Sequence, residues 1–172
     1  TTHITAEHVI IATGSVPVEL PGLPFGGDVL SSSTALSLPE LPKHLAVIGA
    51  GYIGMELGIA FRKMGARVTV IEATDRMLPS YDSDLVKPVS KWCRQHDIDI
   101  RFDTRAVGYS AGQLELESAD GTSVLDCDKV LVTVGRKPNT QGWGLDRLVI
   151  DMDGAFIRVN DSCQTSMRKV WA

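Results

Sequence analysis

The 172-residue sequence predicts an α/β fold: a parallel sheet built by a β-α-β-α-β unit, then a small antiparallel β-meander and one further strand. Three observations carry that prediction. Continuous apolar runs of strand length, such as Leu45-Ala46-Val47-Ile48, alternate with segments whose apolar residues recur at helical spacing. Gly and Pro punctuate the transitions between them. The composition, 44% hydrophobic and 22% charged, is that of a globular protein and excludes an intrinsically disordered chain.

Taken in order, Val9-Ile10-Ile11-Ala12 reads as a strand ending at Thr13-Gly14-Ser15. A Pro/Gly-rich run follows (Pro17, Pro21, Gly22, Pro24, Gly26, Gly27), typical of a connection between domains. Residues 31–38 suit a short helical turn, stopped by Pro39 and Pro42. After the strand at 45–48, residues 52–64 carry Ile53, Leu57, Ala60 and Met64 on one helical face, and Gly65 supplies the stop. Residues 67–71 form a second strand, ending at Glu72. A second helix spans 82–96, with cap candidates Asp82 and Ser83 and a stripe of Leu85, Val89 and Trp92; Pro88 is read near its first turn, where a missing N–H costs least. A strand at 98–102 precedes the meander of 106–109, 114–117 and 123–125, whose separators Ala111-Gly112 and Asp120-Gly121 are hairpin signals. The last buried strand, 129–134, runs into Gly135-Arg136-Lys137-Pro138-Asn139. Domain boundaries are expected after residue 42 and after residue 160, with 43–160 as the principal domain and 161–172 returning to its neighbour.

Several function classes are disfavoured. Lys and Arg total 17 against 21 acids, a net charge of -4, which argues against a nucleic-acid or anionic-membrane surface. No apolar run approaches the roughly 20 residues that span a bilayer, and no signal peptide opens the sequence, so a cytoplasmic protein is expected. Cys93, Cys127 and Cys163 lie too far apart for a disulfide framework or a zinc site, and are expected as buried or half-buried thiols. The histidines (His3, His8, His44, His96) show no ligand spacing and are assigned surface or packing roles; no metal is expected. The chain begins at Thr1 without a methionine and ends on Val170-Trp171-Ala172, which reads as a piece of a longer protein.

The chemistry concentrates at Gly49-Ala50-Gly51-Tyr52-Ile53-Gly54, a G-x-G-x-x-G match. With 16 glycines present the spacing alone is weak, but its context is specific. It begins where an apolar strand ends, opens a periodic helix, and is followed by a second strand that ends in an acid, Glu72. That is a Rossmann-like dinucleotide-binding crossover. Gly49 permits the tight turn, Gly51 removes a side chain where a pyrophosphate approaches the backbone, and Gly54 lets helix and strand pack closely. The helix start offers N–H groups and about half a positive charge to the phosphates. Glu72 accepts hydrogen bonds from the adenosine ribose hydroxyls and repels a 2′-phosphate, so NAD is expected over NADP; Arg76 is the nearby cation that could partly meet such a phosphate.

Glu56, read in the first turn of the helix, either complements the helix dipole or stands where the nicotinamide end emerges. Tyr52 is either a packing residue or a neighbour of the nicotinamide, while Met55, Met64 and Trp92 fall at core-like positions. No Ser-His-Asp set and no carboxylate pair can be assembled, so no catalytic residue is named. A cofactor site without acid-base machinery suits hydride transfer, in which the cofactor carries the chemistry.

At these residues the sequence resembles the pyridine-nucleotide-disulfide oxidoreductases, and within them the dihydrolipoamide dehydrogenases. The matching stretches are Ile10-Ile11-Ala12-Thr13-Gly14-Ser15 with Pro17, Leu30-Ser31-Ser32-Ser33-Thr34 before Pro42-Lys43, Val47 through Gly58, and Val70-Ile71-Glu72. Met77-Leu78-Pro79-Ser80-Tyr81-Asp82, Val134 through Thr140 and Cys163-Gln164-Thr165-Ser166 complete the set. The resemblance implies a flavoenzyme that passes electrons from dihydrolipoyl groups through a redox disulfide and FAD to NAD, with lipoyl domains of a 2-oxoacid dehydrogenase complex as partners. It implies that Gly49, Ala50, Gly51, Tyr52, Ile53, Gly54, Glu56 and Glu72 hold NAD, that Gly135 approaches the nicotinamide side, and that Ala106 lies against the adenosine half. Thr13, Gly14 and Ser15 would border FAD, and Tyr52 resembles the family's aromatic gate between nicotinamide and flavin. The family's FAD fingerprint, redox cysteine pair, C-terminal His-Glu pair and dimerisation domain have no counterpart in these residues. The chain is therefore expected to bind NAD, flanked by stubs of an FAD domain, without turning over substrate. Two alternatives stay open: another flavoprotein of the family (mercuric or glutathione reductase, transhydrogenase, NADH oxidase), or a non-catalytic nucleotide-sensing module.

Overall fold

A computed structural model describes residues 2–172. In chain order its elements are β1 Val9–Ile10, β2 Ser15–Pro17, β3 Val29–Leu30, α1 Ser32–Ala35, β4 His44–Ile48, α2 Tyr52–Met64, β5 Arg67–Ile71, α3 Ser83–Gln95 and β6 Asp99–Arg101. They continue with β7 Thr104–Ser110, β8 Gln113–Ser118, β9 Gly121–Asp126, β10 Lys129–Val132, β11 Arg136–Pro138, a 3-10 turn Leu145–Arg147, β12 Met152–Asp153, β13 Phe156–Ile157 and β14 Val170–Trp171. Two compact units result: Pro17–Gly135, and the segment up to Val16 together with Arg136–Ala172.

The Pro17–Gly135 unit holds a five-stranded sheet of order β3-β10-β4-β5-β6, parallel throughout. Side chains alternate across a strand, so this sheet buries two cores. Leu45, Val47, Val68, Val70 and Leu131 pack with Met55, Phe61, Cys93 and Ile98 on the helical side. Ala46, Ile48, Ile71, Val130 and Val132 pack with Leu23, Leu114, Leu116 and Leu125 on the other. The antiparallel β7-β8-β9 sheet thus covers the face opposite α2 and α3, which is why the central strands are apolar at both parities.

The first crossover has the bounds its periodicity predicts: α2 spans Tyr52–Met64 and ends on Gly65 at φ 111°, the left-handed stop that glycine adopts without strain. The hairpin turn at Ala111 and Gly112 has φ 51° and 80°, as its sequence signal requires. Other elements differ from expectation. The Pro/Gly-rich run does more than connect: Val29 and Leu30 pair in parallel with Val130 and Leu131 and extend the sheet. Pro88 is the sixth residue of α3 and lies inside the helix rather than in its first turn. The buried side of α3 is formed by Val86, Val89, Trp92 and Cys93, while Leu85 is 65% exposed. Met64 faces outward as well, and Cys163 is exposed, not buried. His44 is buried with Nε2 3.0 Å from Thr69 Oγ1.

In the other unit, β1 and β14 form a parallel pair with Val9 opposite Val170 and Ile10 opposite Trp171. The strand expected over 9–12 is shortened to Val9–Ile10. Compactness divides the chain at other positions than the boundaries read at 42 and 160, because β3 joins the main sheet while β11 pairs with β2.

Candidate functional site

Three strand ends converge at the carboxyl edge of the parallel sheet: Gly49 follows β4, Glu72 follows β5, and Thr133 follows β10. The chain crosses from β4 to β5 on one side, whereas β10 flanks β4 on the other. This is a topological switch point, where open α/β sheets form their ligand crevice.

Two of the three loop glycines are required by the fold, each for a different reason. Gly49 has φ 97°, and a Cβ there would lie 2.8 Å from the Thr133 carbonyl oxygen. At Gly54 a Cβ would run into the Gly49 carbonyl and Thr133 Oγ1, so helix and strand pack at a distance that glycine alone allows. Gly51 is unlike both. Its φ is −72°, ordinary for any residue, and a Cβ would meet nothing within 4 Å. It is also the N-cap of α2 with no side-chain cap, although Ser or Asp would fit there and cap better. The first helical hydrogen bond runs from Met55 N–H to the Gly51 carbonyl at 3.0 Å. The N–H groups of Tyr52, Ile53 and Gly54 are left at the helix start without a side-chain acceptor.

Glu72 is tied into this loop. Its Oε2 accepts from Ala50 N–H at 2.7 Å, and its Oε1 accepts from Thr74 N–H and Thr74 Oγ1, each at 2.8 Å. Ala50 is fully buried, and its carbonyl accepts from Leu78 N–H at 2.8 Å. The segment after β5 therefore clasps the glycine loop by both polar groups of one residue. Arg76, the cation nearest to Glu72 in sequence, donates from Nη2 to the Pro79 and Tyr81 carbonyls at 2.8 and 3.0 Å. Its guanidinium is engaged with its own loop.

Glu56 is exposed and sits in the second turn of α2; the first turn carries no acid, which removes the dipole role read from sequence. Instead it lines a cleft of ≈ 260 Å³ with Tyr52, Met55, Leu78, Tyr81 and Val89. Tyr52 is 54% exposed and is not a core residue. Ala106 is partly buried against the meander-side core, beside a register shift between Ala106 and Gly108. Gly135 has φ 135°, so the backbone itself calls for glycine there. Thr13, Gly14 and Ser15 fall in the other unit, where Asn139 N–H donates to the Gly14 carbonyl at 2.9 Å and Arg136 Nε to Ser15 Oγ at 2.8 Å.

Thr133 escaped the sequence reading. Its Oγ1 lies 2.9 and 3.2 Å from the Ile48 and Gly49 carbonyls, which share its single donor proton, and it buttresses the loop from 85 residues beyond Ile48, a distance that leaves no local signal. Thr74 was equally unmarked, although a threonine two residues past an acid is a local turn signal. Among the described residues no His/Cys/Asp/Glu cluster could hold a metal ion, and no helix is long and apolar enough to cross a membrane.

Residues 1–172 match the family described as pyridine nucleotide-disulphide oxidoreductase. The chain belongs to that family. Family membership brings this crossover together with curated relatives that are dihydrolipoyl dehydrogenases. One from Pseudomonas aeruginosa is 46% identical over 170 residues, covering 98% of this chain and 37% of the relative. Another, from Geobacillus stearothermophilus, is 37% identical over 173 residues with the same coverage of each. Among solved structures, the HOCl-induced flavoprotein disulfide reductase RclA from Escherichia coli has a TM-score of 0.86 at 28% identity, covering 98% of this chain and 39% of that one. LpdA from Mycobacterium tuberculosis has a TM-score of 0.83 at 29% identity, covering 96% and 37%. The chain spans a little over a third of the length of these relatives. The mixed α/β fold with its central parallel sheet is the fold of the family.

Proposed function

We propose that this chain is the NAD-binding part of a dihydrolipoamide dehydrogenase. Gly51 carries the reading. Backbone angle and packing leave that point open, and with no side chain over the helix start its N–H groups are free to meet a ligand that approaches the backbone. The pyrophosphate lies against the N–H groups of Tyr52, Ile53 and Gly54, and the adenosine ribose sits on Glu72 with Ala106 beside it. Tyr52, Glu56 and Gly135 border the nicotinamide side, next to a cleft whose lining is mostly apolar. Bound there, NAD supplies hydride acceptance; the chain's own residues bind and orient it.

The parent activity is supported by the 46% identity to the Pseudomonas aeruginosa enzyme. The redox dithiol is assigned to the remainder of a longer polypeptide, since the cysteines here are unpaired, and most of the FAD site and the docking of lipoyl domains are assigned there too, since the chain covers 37% of the Pseudomonas aeruginosa relative. Thr13, Gly14 and Ser15 border the flavin in this reading. The chain alone binds NAD without oxidising dihydrolipoamide, and the parent is a cytoplasmic enzyme. A second reading, another flavoprotein disulfide reductase, is favoured by the likeness to RclA.

Calorimetric titration with NAD and NADP tests the assignment. The wild-type chain is expected to bind NAD and to discriminate against NADP. Glu72→Gln keeps an acceptor for the buried Ala50 N–H but loses the charge, so it is expected to bind NAD about tenfold more weakly and to lose most of that discrimination. Unchanged affinity for both nucleotides in the variant refutes the ribose assignment.

A further inference from the structure

On the helical side of the sheet, α3 and the loop that leads into it line another pocket, of ≈ 350 Å³. It shares no lining residue with the glycine loop, Glu72 or Ala106, and Ala106 packs on the opposite face of the sheet. Part of its lining is apolar: Met77 is buried, Val86 is half-buried, and Phe102 is exposed beside them. The rest is mainly cationic, in a chain whose net charge is -4. Lys87, Ser90 and Arg94 recur at i, i+3 and i+7 on one face of α3, and Arg76 comes from the loop. Asp75 is the one acid in the lining.

Two guanidiniums there are anchored with donors to spare. Arg76 donates from Nη2 to the Pro79 and Tyr81 carbonyls at 2.8 and 3.0 Å, and Arg94 Nη1 donates to Ser90 Oγ at 3.2 Å. Among the described residues neither arginine makes an ion pair, and no acceptor meets the other nitrogens of either group. Lys87 differs, because Asp84 Oδ1 takes its ammonium at 2.6 Å. A guanidinium anchored through one nitrogen presents the others as a planar fork, which pairs with phosphate oxygens. A phosphomonoester brings nearly two negative charges at neutral pH and three acceptor oxygens, enough for both forks. The apolar lining suits whatever carbon skeleton the phosphate is carried on. We propose that this pocket binds an organic phosphomonoester, its phosphate met by Arg76 and Arg94 and its apolar body by Met77, Val86 and Phe102. The site stands apart from the nucleotide crevice and does not depend on the NAD-binding reading.

Calorimetric titration of the chain with phenyl phosphate, inorganic phosphate and benzyl alcohol tests the site. Phenyl phosphate is expected to bind with a Kd below about 1 mM. Inorganic phosphate, lacking the apolar contact, is expected to bind at least about threefold more weakly, and benzyl alcohol not measurably. Arg94→Gln is expected to weaken phenyl phosphate about fivefold, and Asp75→Asn, which removes the repelling acid, to strengthen it about twofold. Circular-dichroism melts verify that each variant is folded, and the comparison of the three probes on the wild type stands even if one variant is not. The start of α2 is a rival seat for phosphate, so phenyl phosphate is also titrated into Gly51→Ser, where its affinity is expected to be unchanged. Absence of binding, equal affinity for inorganic and phenyl phosphate, or indifference to both Arg94→Gln and Asp75→Asn overturns the proposal. Loss of phenyl phosphate binding in Gly51→Ser overturns it too, and leaves the phosphate at the α2 start with the NAD reading intact. If NAD itself does not bind while phenyl phosphate follows the expected pattern, the nucleotide reading falls and this site remains.

Discussion

Four glycines around one crevice separate two kinds of requirement. At Gly49 and Gly135 the backbone lies in the left-handed region, with φ 97° and 135°, and at Gly54 a side chain would collide with the Gly49 carbonyl. These three serve the fold whether or not anything binds. Gly51 serves nothing in the fold beyond a mild N-cap preference, which makes it the position where binding and stability can be separated. Gly51→Ser adds a capping oxygen and is expected to leave stability unchanged or raised by roughly a few tenths of a kcal/mol. The same hydroxyl takes up an N–H meant for phosphate and fills the approach, so NAD affinity is expected to fall at least about tenfold. Melts and calorimetry on one sample check both halves. Full affinity in the variant means that the pyrophosphate lies elsewhere.

At the level of elements, β4 and β5 show how a polar pair is tolerated in a core sheet. Thr69 is fully buried, and its partner is the imidazole of His44, 3.0 Å away. Burial holds the His44 pKa below its ordinary value, and the nearby Arg67 guanidinium pushes the same way; hydrogen bonding to Asp126 and the charge of Asp128 oppose them. The unfolded chain, with its histidine near pH 6.5, therefore binds the proton before the folded one. This contribution to stability is constant above about pH 6.5 and is lost as pH falls from there towards the folded pKa. Urea melts at pH 7.5 and 5.5 are expected to show a larger loss for the wild type than for His44→Gln. Identical losses exclude this source of pH dependence.

The same scale shows where local pattern succeeds. The β4-α2-β5 crossover has a clean period, an apolar run on either side and a left-handed Gly65, so each signal points one way. In α3 the signals conflict: Pro88 lies in the interior, and Leu85 is exposed where its spacing suggests burial. Val86 and Cys93 complete the face that packs, a phase that the Leu85-Val89-Trp92 stripe does not reveal.

For the whole molecule, the two cores on opposite faces of one sheet decide which thiols can react. Cys93 lies in the helical-side core and Cys127 in the meander-side core, both buried. Burial raises both thiol pKa values, that of Cys127 to about 12 with Asp128, Asp126 and Asp28 adding to the effect. Both therefore stay protonated and shielded near neutral pH. Cys163 is exposed in the other unit. Alkylation at pH 8 followed by mass analysis is expected to add one label per native chain and three in urea. Rapid addition of two or three labels to the native chain contradicts the burial of these cores.

What the sequence determined by itself is the glycine crossover from Gly49 to Gly54, the acid at the end of the second strand, and the alternation of strand, helix and meander. Each is written in residues that lie close together along the chain, where periodicity and turn chemistry act. Only the tertiary structure decided that Glu72 clasps the Ala50 N–H, 22 residues away, and that Thr133 supports the loop from 85 residues away. The same holds for Val29 and Leu30 extending the sheet beside β10. Hydrogen bonds between distant segments depend on which strands become neighbours, and that choice is made by burying both faces of the sheet together, a cooperative gain that leaves no trace in local spacing.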